Sequence, residues 1–96
     1  MNGLSFDWDT RKARANLRKH GVSFEEARTT FFDENARVYA DPDHSEDEDR
    51  FLLLGLSSRL RMLVVCHCLR ERGSVIRIIS ARRADKQEEA AYREYL

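Results

Sequence analysis

The chain has 96 residues, 42% of them hydrophobic and 35% charged, with a formal net charge of zero. That length suits one domain with a real core, expected to span residues 1–96, and excludes a second. No apolar run approaches the roughly 20 residues of a membrane span, and the opening MNGLSFDWD lacks the basic-then-apolar layout of a secretory signal, so a cytoplasmic location is expected.

The zero balance hides an uneven layout. Residues 1–21 carry five basic and two acidic side chains, and residues 22–50 carry ten acidic and three basic. Residues 51–83 carry seven arginines against the single acid Glu71. Zero net charge by itself argues against a nucleic-acid binder, but the distribution separates a basic half from an acidic middle.

In chain order, LSFDW at residues 4–8 reads as a short opening strand. Asp9 is an N-cap for a helix over TRKARANLRKH, closed by Gly21. Ala13 and Leu17, with Asn16 and His20, are expected on its inner face. In VSFEEARTTFF, Ser23 and Glu26 have capping-box spacing and Val22 can staple onto Ala27. Phe24, Ala27 and Phe31 then form the stripe of a second short helix. A short strand is predicted around Arg37 to Ala40, ended by Pro42, and the acidic run from Glu46 to Asp49 reads as a solvated loop. RFLLLGLSS and RMLVVCHCL are strands joined by a turn near Ser58 and Arg59. RERG makes another turn, and VIRIISAR is the last strand. Asp85 and Glu88 offer a second capping box, opening a C-terminal helix with Tyr92 and Tyr95.

The predicted order is β-α-α-β-β-β-β-α. It implies an α+β domain: an antiparallel sheet of four to five strands, two N-terminal helices on one face and a C-terminal helix. Strict alternation along the last strand puts Ile76, Ile78, Ser80 and Arg82 on one face. Arg77 then falls on the other face with Val75, Ile79 and Ala81. In the preceding strand Met62, Val64, Cys66 and Cys68 face one way, and Leu63, Val65 and His67 the other.

The apolar strand IRIIS running straight into Arg82 and Arg83 is the feature most suggestive of chemistry. A guanidinium on a rigid strand grips phosphate with two parallel hydrogen bonds and can stabilise charge developing on it. His67 is a candidate for moving a proton near neutral pH. Solvated arginines and a hydrogen-bonded core histidine are the bland alternatives. Cys66, His67 and Cys68 invite a metal reading, but alternation turns His67 away from the cysteines, and no second cluster completes a tetrahedral set. The pair is also too close in sequence for an unstrained disulfide. Asp41, Asp43, His44 and Glu46 are the remaining cation candidates in an acidic loop. Tyr92 and Tyr95 read first as packing residues.

Three blocks, FDWDTRKARANLRKHGVSFEEA, DPDHSEDEDRFLLLGLSSR and IRIISARRA, taken in that order, resemble the BrnT family of bacterial type II toxins from Phe6 to about Tyr92. The resemblance implies a RelE-like fold and metal-independent RNA cleavage that inhibits translation, with no cofactor. It implies a neighbouring BrnA-type ribbon-helix-helix antitoxin, which alone would contact operator DNA, in a complex of two toxins with an antitoxin dimer. It places the functional side chains at Arg70, Arg82 and Arg83, with the C-terminal tyrosine at Tyr92; His67 stays a candidate acid–base group on its own chemistry, not on the resemblance. The CHCLRERGSV stretch departs from the family pattern. A chain of the same fold that only binds an antitoxin and assists operator binding is the alternative function.

Overall fold

The computed structural model describes residues 4–43 and 49–96. The predicted acidic loop at 46–49 lies outside those residues except for Asp49, as do His44 and Glu46 of the cation candidates. The elements follow the predicted order: β1 (Ser5–Asp7), α1 (Thr10–His20), α2 (Phe24–Thr29), β2 (Arg37–Ala40), β3 (Phe51–Leu56), β4 (Met62–Arg70), β5 (Val75–Arg83) and α3 (Lys86–Glu94). A single 3-10 turn over Thr30–Phe32 extends α2. Among the described residues no helix is long and apolar enough to cross a membrane.

Local chemistry fixes the helix ends. The Asp9 carboxylate accepts from the amides of Arg11 and Lys12, and Gly21 ends α1 at φ 69°, a left-handed geometry in which glycine carries no Cβ penalty. Ser23 caps α2 through the Glu26 amide. The predicted reciprocal half of that box does not form, because the Glu26 side chain is drawn inward to Arg61 and Ser57. The second box does form, with Asp85 and Glu88 each capping the other's amide at 2.8 Å.

The sheet has the order β1-β5-β4-β3-β2. Strands β2 to β5 make the expected antiparallel meander. The N-terminal β1 joins β5 in parallel, so the full sheet is mixed. Helices α1 and α2 pack on one face, where Val22, Phe24, Ala27, Leu63, Val65, Ile76, Ile78 and Ala81 form the main core. A smaller cluster of Leu54, Val64 and Tyr92 sits under α3 on the other face.

One irregularity changes the predicted alternation. Cys66 pairs with Ser80 and His67 with Ile78, so Ile79 is a bulge in β5. Beyond it the faces exchange. Ala81 joins Ile76 and Ile78 in the main core. Arg82, expected beside the isoleucines, therefore turns to the α3 face. Arg77 lies on that face as well, not on the one opposite Arg82.

Asn16 explains how β5 is finished. Strand β1 is only three residues long and reaches only to Arg77. Further along, the outer edge of β5 lacks a strand partner. The buried Asn16 amide substitutes for one: Nδ2 donates to the Ala81 carbonyl at 2.8 Å, and Oδ1 accepts from the Ala81 amide at 3.0 Å. Nδ2 also donates to the Val22 carbonyl at 2.9 Å. Leu17, expected on the inner face of α1, instead sits at the rim and is half exposed. Without that amide the buried Ala81 groups would be left unsatisfied, at a cost of about 1–3 kcal/mol.

Candidate functional site

The end of β5 and the start of α3 bring opposite charges together. Arg82 Nη1 and Nη2 donate to the two carboxylate oxygens of Glu88, each at 2.8 Å, and Nη1 reaches the Arg83 carbonyl at 3.3 Å. This fork holds the guanidinium plane in one orientation. Glu88 belongs at the same time to the α3 capping box, so the start of α3 and the position of Arg82 are set by one carboxylate. Hydrogen bonding from Arg82 holds the Glu88 carboxyl below its usual range, and Glu88 raises the Arg82 guanidinium in turn. The Arg82 side chain remains 43% exposed, enough to meet a ligand while paired.

Arg83 is exposed at the last position of β5 and pairs in register with Leu63. Alternation therefore directs it toward the α1–α2 side, so the adjacent arginines straddle the strand end. Tyr39, on β2, lies on the same α3 face, with β3 and β4 between its strand and β5. It is in register with Leu52 and interacts electrostatically with Glu88 and Arg82. Partial burial, and then the negative charge of Glu88, raise the Tyr39 phenol, which keeps its proton at neutral pH. Nearby, the Arg37 guanidinium lies 3.5 Å above the centre of the exposed Tyr95 ring.

The other sequence-predicted groups are elsewhere. His67 is 3% exposed on the α1–α2 face. Its ring packs edge-on against Phe31 and tilted against Phe51, with Nδ1 3.2 Å from the Val65 carbonyl. Burial lowers its pKa, so the imidazole is neutral. Tyr92 is buried, and its hydroxyl donates to Asp33 Oδ2 at 2.7 Å. Burial and then Asp33 push the phenol up to about 12. Arg70 is exposed at the far end of β4, in register with Val75, whereas Arg82 is in register with Val64. Six residues of strand separate those positions, about 20 Å at the usual rise. The structure thus sets Arg82 and Arg83 at one strand end on its two faces, places Arg70 and His67 elsewhere, and puts Tyr92 in the small cluster under α3.

Cys66 faces the α3 side with its thiol 3.6 Å from Asp41 Oδ2, and burial pushes it up to about 11. It is an inert thiol there. His67 points through the opposite face, so the Cys-His-Cys run does not converge on a point. Among the described residues no group of three or more His, Cys, Asp or Glu side chains is gathered as a metal cage would be.

Sequence reasoning missed Tyr39 and Glu88 as members of the cluster. Glu88 was visible only as a capping residue, and its second role depends on the bulge that turns Arg82 toward it. Tyr39 is distant in sequence and lies on the outermost strand, with β3 and β4 between it and β5, so only the shared α3 face lets it interact with Glu88 and Arg82.

A family model described as "Ribonuclease toxin, BrnT, of type II toxin-antitoxin system" matches residues 8–88. Among solved structures, the Brucella abortus ribonuclease toxin BrnT is similar, with a TM-score of 0.66 and 22% identity. The match covers 88% of this chain and 100% of that one. At this identity the likeness is one of fold. A search of curated proteins returned no match.

Proposed function

The chain belongs to the BrnT family of ribonuclease toxins of type II toxin–antitoxin systems, and from that premise we propose that it is a metal-independent endoribonuclease that blocks translation until a BrnA-type antitoxin binds it. The observation that carries this reading is the Arg82 guanidinium, held in a fork by Glu88 at a strand end and still open to solvent.

In the proposed reaction Arg82 and Arg83 bind the scissile phosphate. The ribose 2′-oxygen attacks phosphorus and its proton passes to solvent. The bond from phosphorus to the 5′-oxygen breaks, and that oxygen takes a proton from Tyr39. The products are a 2′,3′-cyclic phosphate and a 5′-hydroxyl. Two cations beside the phosphate stabilise the extra charge of the transition state, the task a metal ion performs in other nucleases. Glu88 is a positioning residue, since it acts on RNA only through Arg82. His67 and Tyr92, both buried, hold the sheet and α3 in place. Arg70 is too distant to share the same phosphate and serves RNA further along the chain.

The antitoxin is expected to cover the Arg82 face, since complementary charge speeds association and sets register. An antitoxin that dimerises through a ribbon-helix-helix part would carry two toxins and bring them to operator DNA.

The test is expression of the chain alone in bacteria, with growth and translation as readouts, followed by RNA cleavage by purified protein in the presence of a chelator. Wild-type protein is expected to arrest growth and to cut RNA despite the chelator. Arg82→Ala is expected to slow cutting by about a hundredfold or more, the usual scale for losing one transition-state donor. Normal growth with folded wild-type protein present would overturn the reading.

A further inference from the structure

Helix α1 carries Arg11, Lys12, Arg14, Arg18 and Lys19 and no acidic residue. At 100° per residue Arg11, Arg14 and Arg18 lie roughly opposite the buried Asn16 and Lys12 and Lys19 lie beside it, so the five make one continuous basic arc along one flank of the helix. None of the five forms an ion pair with a described residue. The arc carries no large apolar side chain, so it does not suit an amphipathic helix. It suits a chain of regularly spaced negative charges.

The position of α1 makes this arc more than a charged surface. Asn16 ties α1 to Ala81, the residue immediately before Arg82. Along the edge of β5 that β1 leaves open, a groove of about 220 Å³ runs between helix and strand, lined by Lys12, Asn16, Lys19, His20, Ile79 and Ser80. Register turns Ser80 and Arg82 to the α3 face and Arg83 to the α1 side, so the groove opens along the bare edge of β5 and meets the two arginines at the strand end. Two residues of strand separate Ser80 from Arg82, about 7 Å, which is close to the spacing of neighbouring phosphates in an extended single strand.

We propose that the groove between α1 and β5 is a second phosphate site, in which Lys12 and Lys19 hold the backbone of single-stranded RNA next to the phosphate held by Arg82. The groove sets a minimum substrate length and draws RNA to the strand end. This rests on the ribonuclease reading above, and it adds a site that the chemistry alone does not require.

The test uses single-stranded oligonucleotides with 2′-O-methyl riboses, which this chemistry cannot cut, at about four and about twelve nucleotides, the range a small binding surface spans. Wild-type protein and the Lys12→Ala/Lys19→Ala variant are compared across a salt series. Wild-type protein is expected to bind the longer probe at least about tenfold more tightly than the variant does. The salt dependence of the variant is expected to be shallower by about 1.4, the contribution of two phosphate contacts on a single strand. Both proteins are expected to bind the short probe about equally.

Equal affinity and equal salt slope on the longer probe would overturn the groove while leaving the nuclease reading intact, provided wild-type protein still cuts unmodified RNA. Wild-type protein that neither binds nor cuts would overturn both. A variant that binds RNA normally but fails to capture the co-expressed antitoxin would assign the groove to the protein partner and overturn the RNA site. Thermal melting of the variant within a few degrees of wild type confirms that the comparison is between folded proteins.

Discussion

Beneath α1 and α2 the sheet is sealed: Val22, Phe24, Ala27, Leu63 and Val65 have no exposed surface. The polar groups there are paired internally. Glu26 is bound by Arg61 and by the Ser57 hydroxyl, and Thr30 Oγ1 donates to the Ala27 carbonyl. Beneath α3 the cover is thin. Leu54, Val64 and Tyr92 make a small cluster, and beside it Arg82, Tyr39 and Tyr95 remain open to water. The first face pairs its charges to remove them from solvent, and the second pairs them to aim them at it. The same contrast separates Glu26–Arg61 from Glu88–Arg82. Both are carboxylates forked by a guanidinium, yet the Glu26 side chain is 3% exposed and that of Glu88 21%, and Arg61 is 24% exposed against 43% for Arg82. Buried pairs are costly to break, whereas exposed ones add little stability and leave the cation available.

The contrast is broken most directly by cutting into the sealed face. Phe24→Ala removes a fully buried ring that stacks edge-on against Trp8 at 5.9 Å. It is expected to lower unfolding free energy by about 3–5 kcal/mol in chemical denaturation, the usual cost of deleting a core phenylalanine. Tyr95→Ala on the α3 side, where the ring is 68% exposed, is expected to change stability by less than about 1 kcal/mol. Equal losses at the two positions would show that the faces do not divide the work.

Asn16→Leu is the next largest. It leaves the Ala81 amide and carbonyl without the partner that replaces a strand. A loss of about 1–3 kcal/mol is expected, the cost of buried groups left unsatisfied. Amide hydrogen exchange sharpens the result: protection should fall first at Ala81 and its neighbours, before the rest of β5.

Tyr92→Phe probes the thin side. The hydroxyl donates to Asp33, which also accepts from the Leu56 and Asn35 amides. Burial raises the Asp33 carboxyl, but these three donors outweigh it and hold the carboxyl below its usual range. A loss of about 1.5 kcal/mol is expected, since a hydrogen bond to a charged acceptor is removed while two others remain. RNA cutting should survive, because the phenol points inward. A Tyr92→Phe variant that folds normally but cannot cut would return this residue to the reacting groups.

Much of this was legible in the sequence. Asp9, Ser23 and Asp85 announced their helices because capping is local, and consecutive β-rich runs with short turns could form little besides a meander. Arg82 and Arg83 stood out because an apolar strand ended in two cations. The bulge at Ile79 was not legible, since nothing in IRIIS distinguishes a five-residue alternation from one with an extra residue. Its position depends on which isoleucines the helices bury. That single residue decides which face receives Arg82, and hence whether Glu88 and Tyr39 can reach it. His67 left two readings open for a related reason: a histidine at alternation distance from core residues looks the same in sequence whether it faces water or two phenylalanines.

The smallest expected effect concerns that histidine, and it separates the faces by pH. Burial between Phe31 and Phe51 holds the His67 pKa below its ordinary 6.5. The unfolded chain therefore takes up a proton near pH 6.5 while the folded chain does not. Stability contributed by the neutral buried ring is full above 6.5 and declines as pH falls from there toward the folded pKa, with a slope of at most about 1.4 kcal/mol per pH unit. The depressed carboxyls behave separately. Glu26, Glu88 and Asp33 have ordinary values of 4.5, 4.5 and 3.8, and their contributions are present above those values and lost as pH falls through the folded ones. The window from about pH 5 to 6.5 thus isolates the imidazole from the acids. Denaturation midpoints measured across it should drift downward on acidification in wild-type protein and stay flatter in His67→Gln. RNA cutting corrected for folded fraction should keep the same pH profile in both proteins, since the ring lies on the sealed face. A pH–rate profile that shifts with His67→Gln would place the imidazole in proton transfer after all, and the division between a face that folds and a face that cuts would fail at that residue.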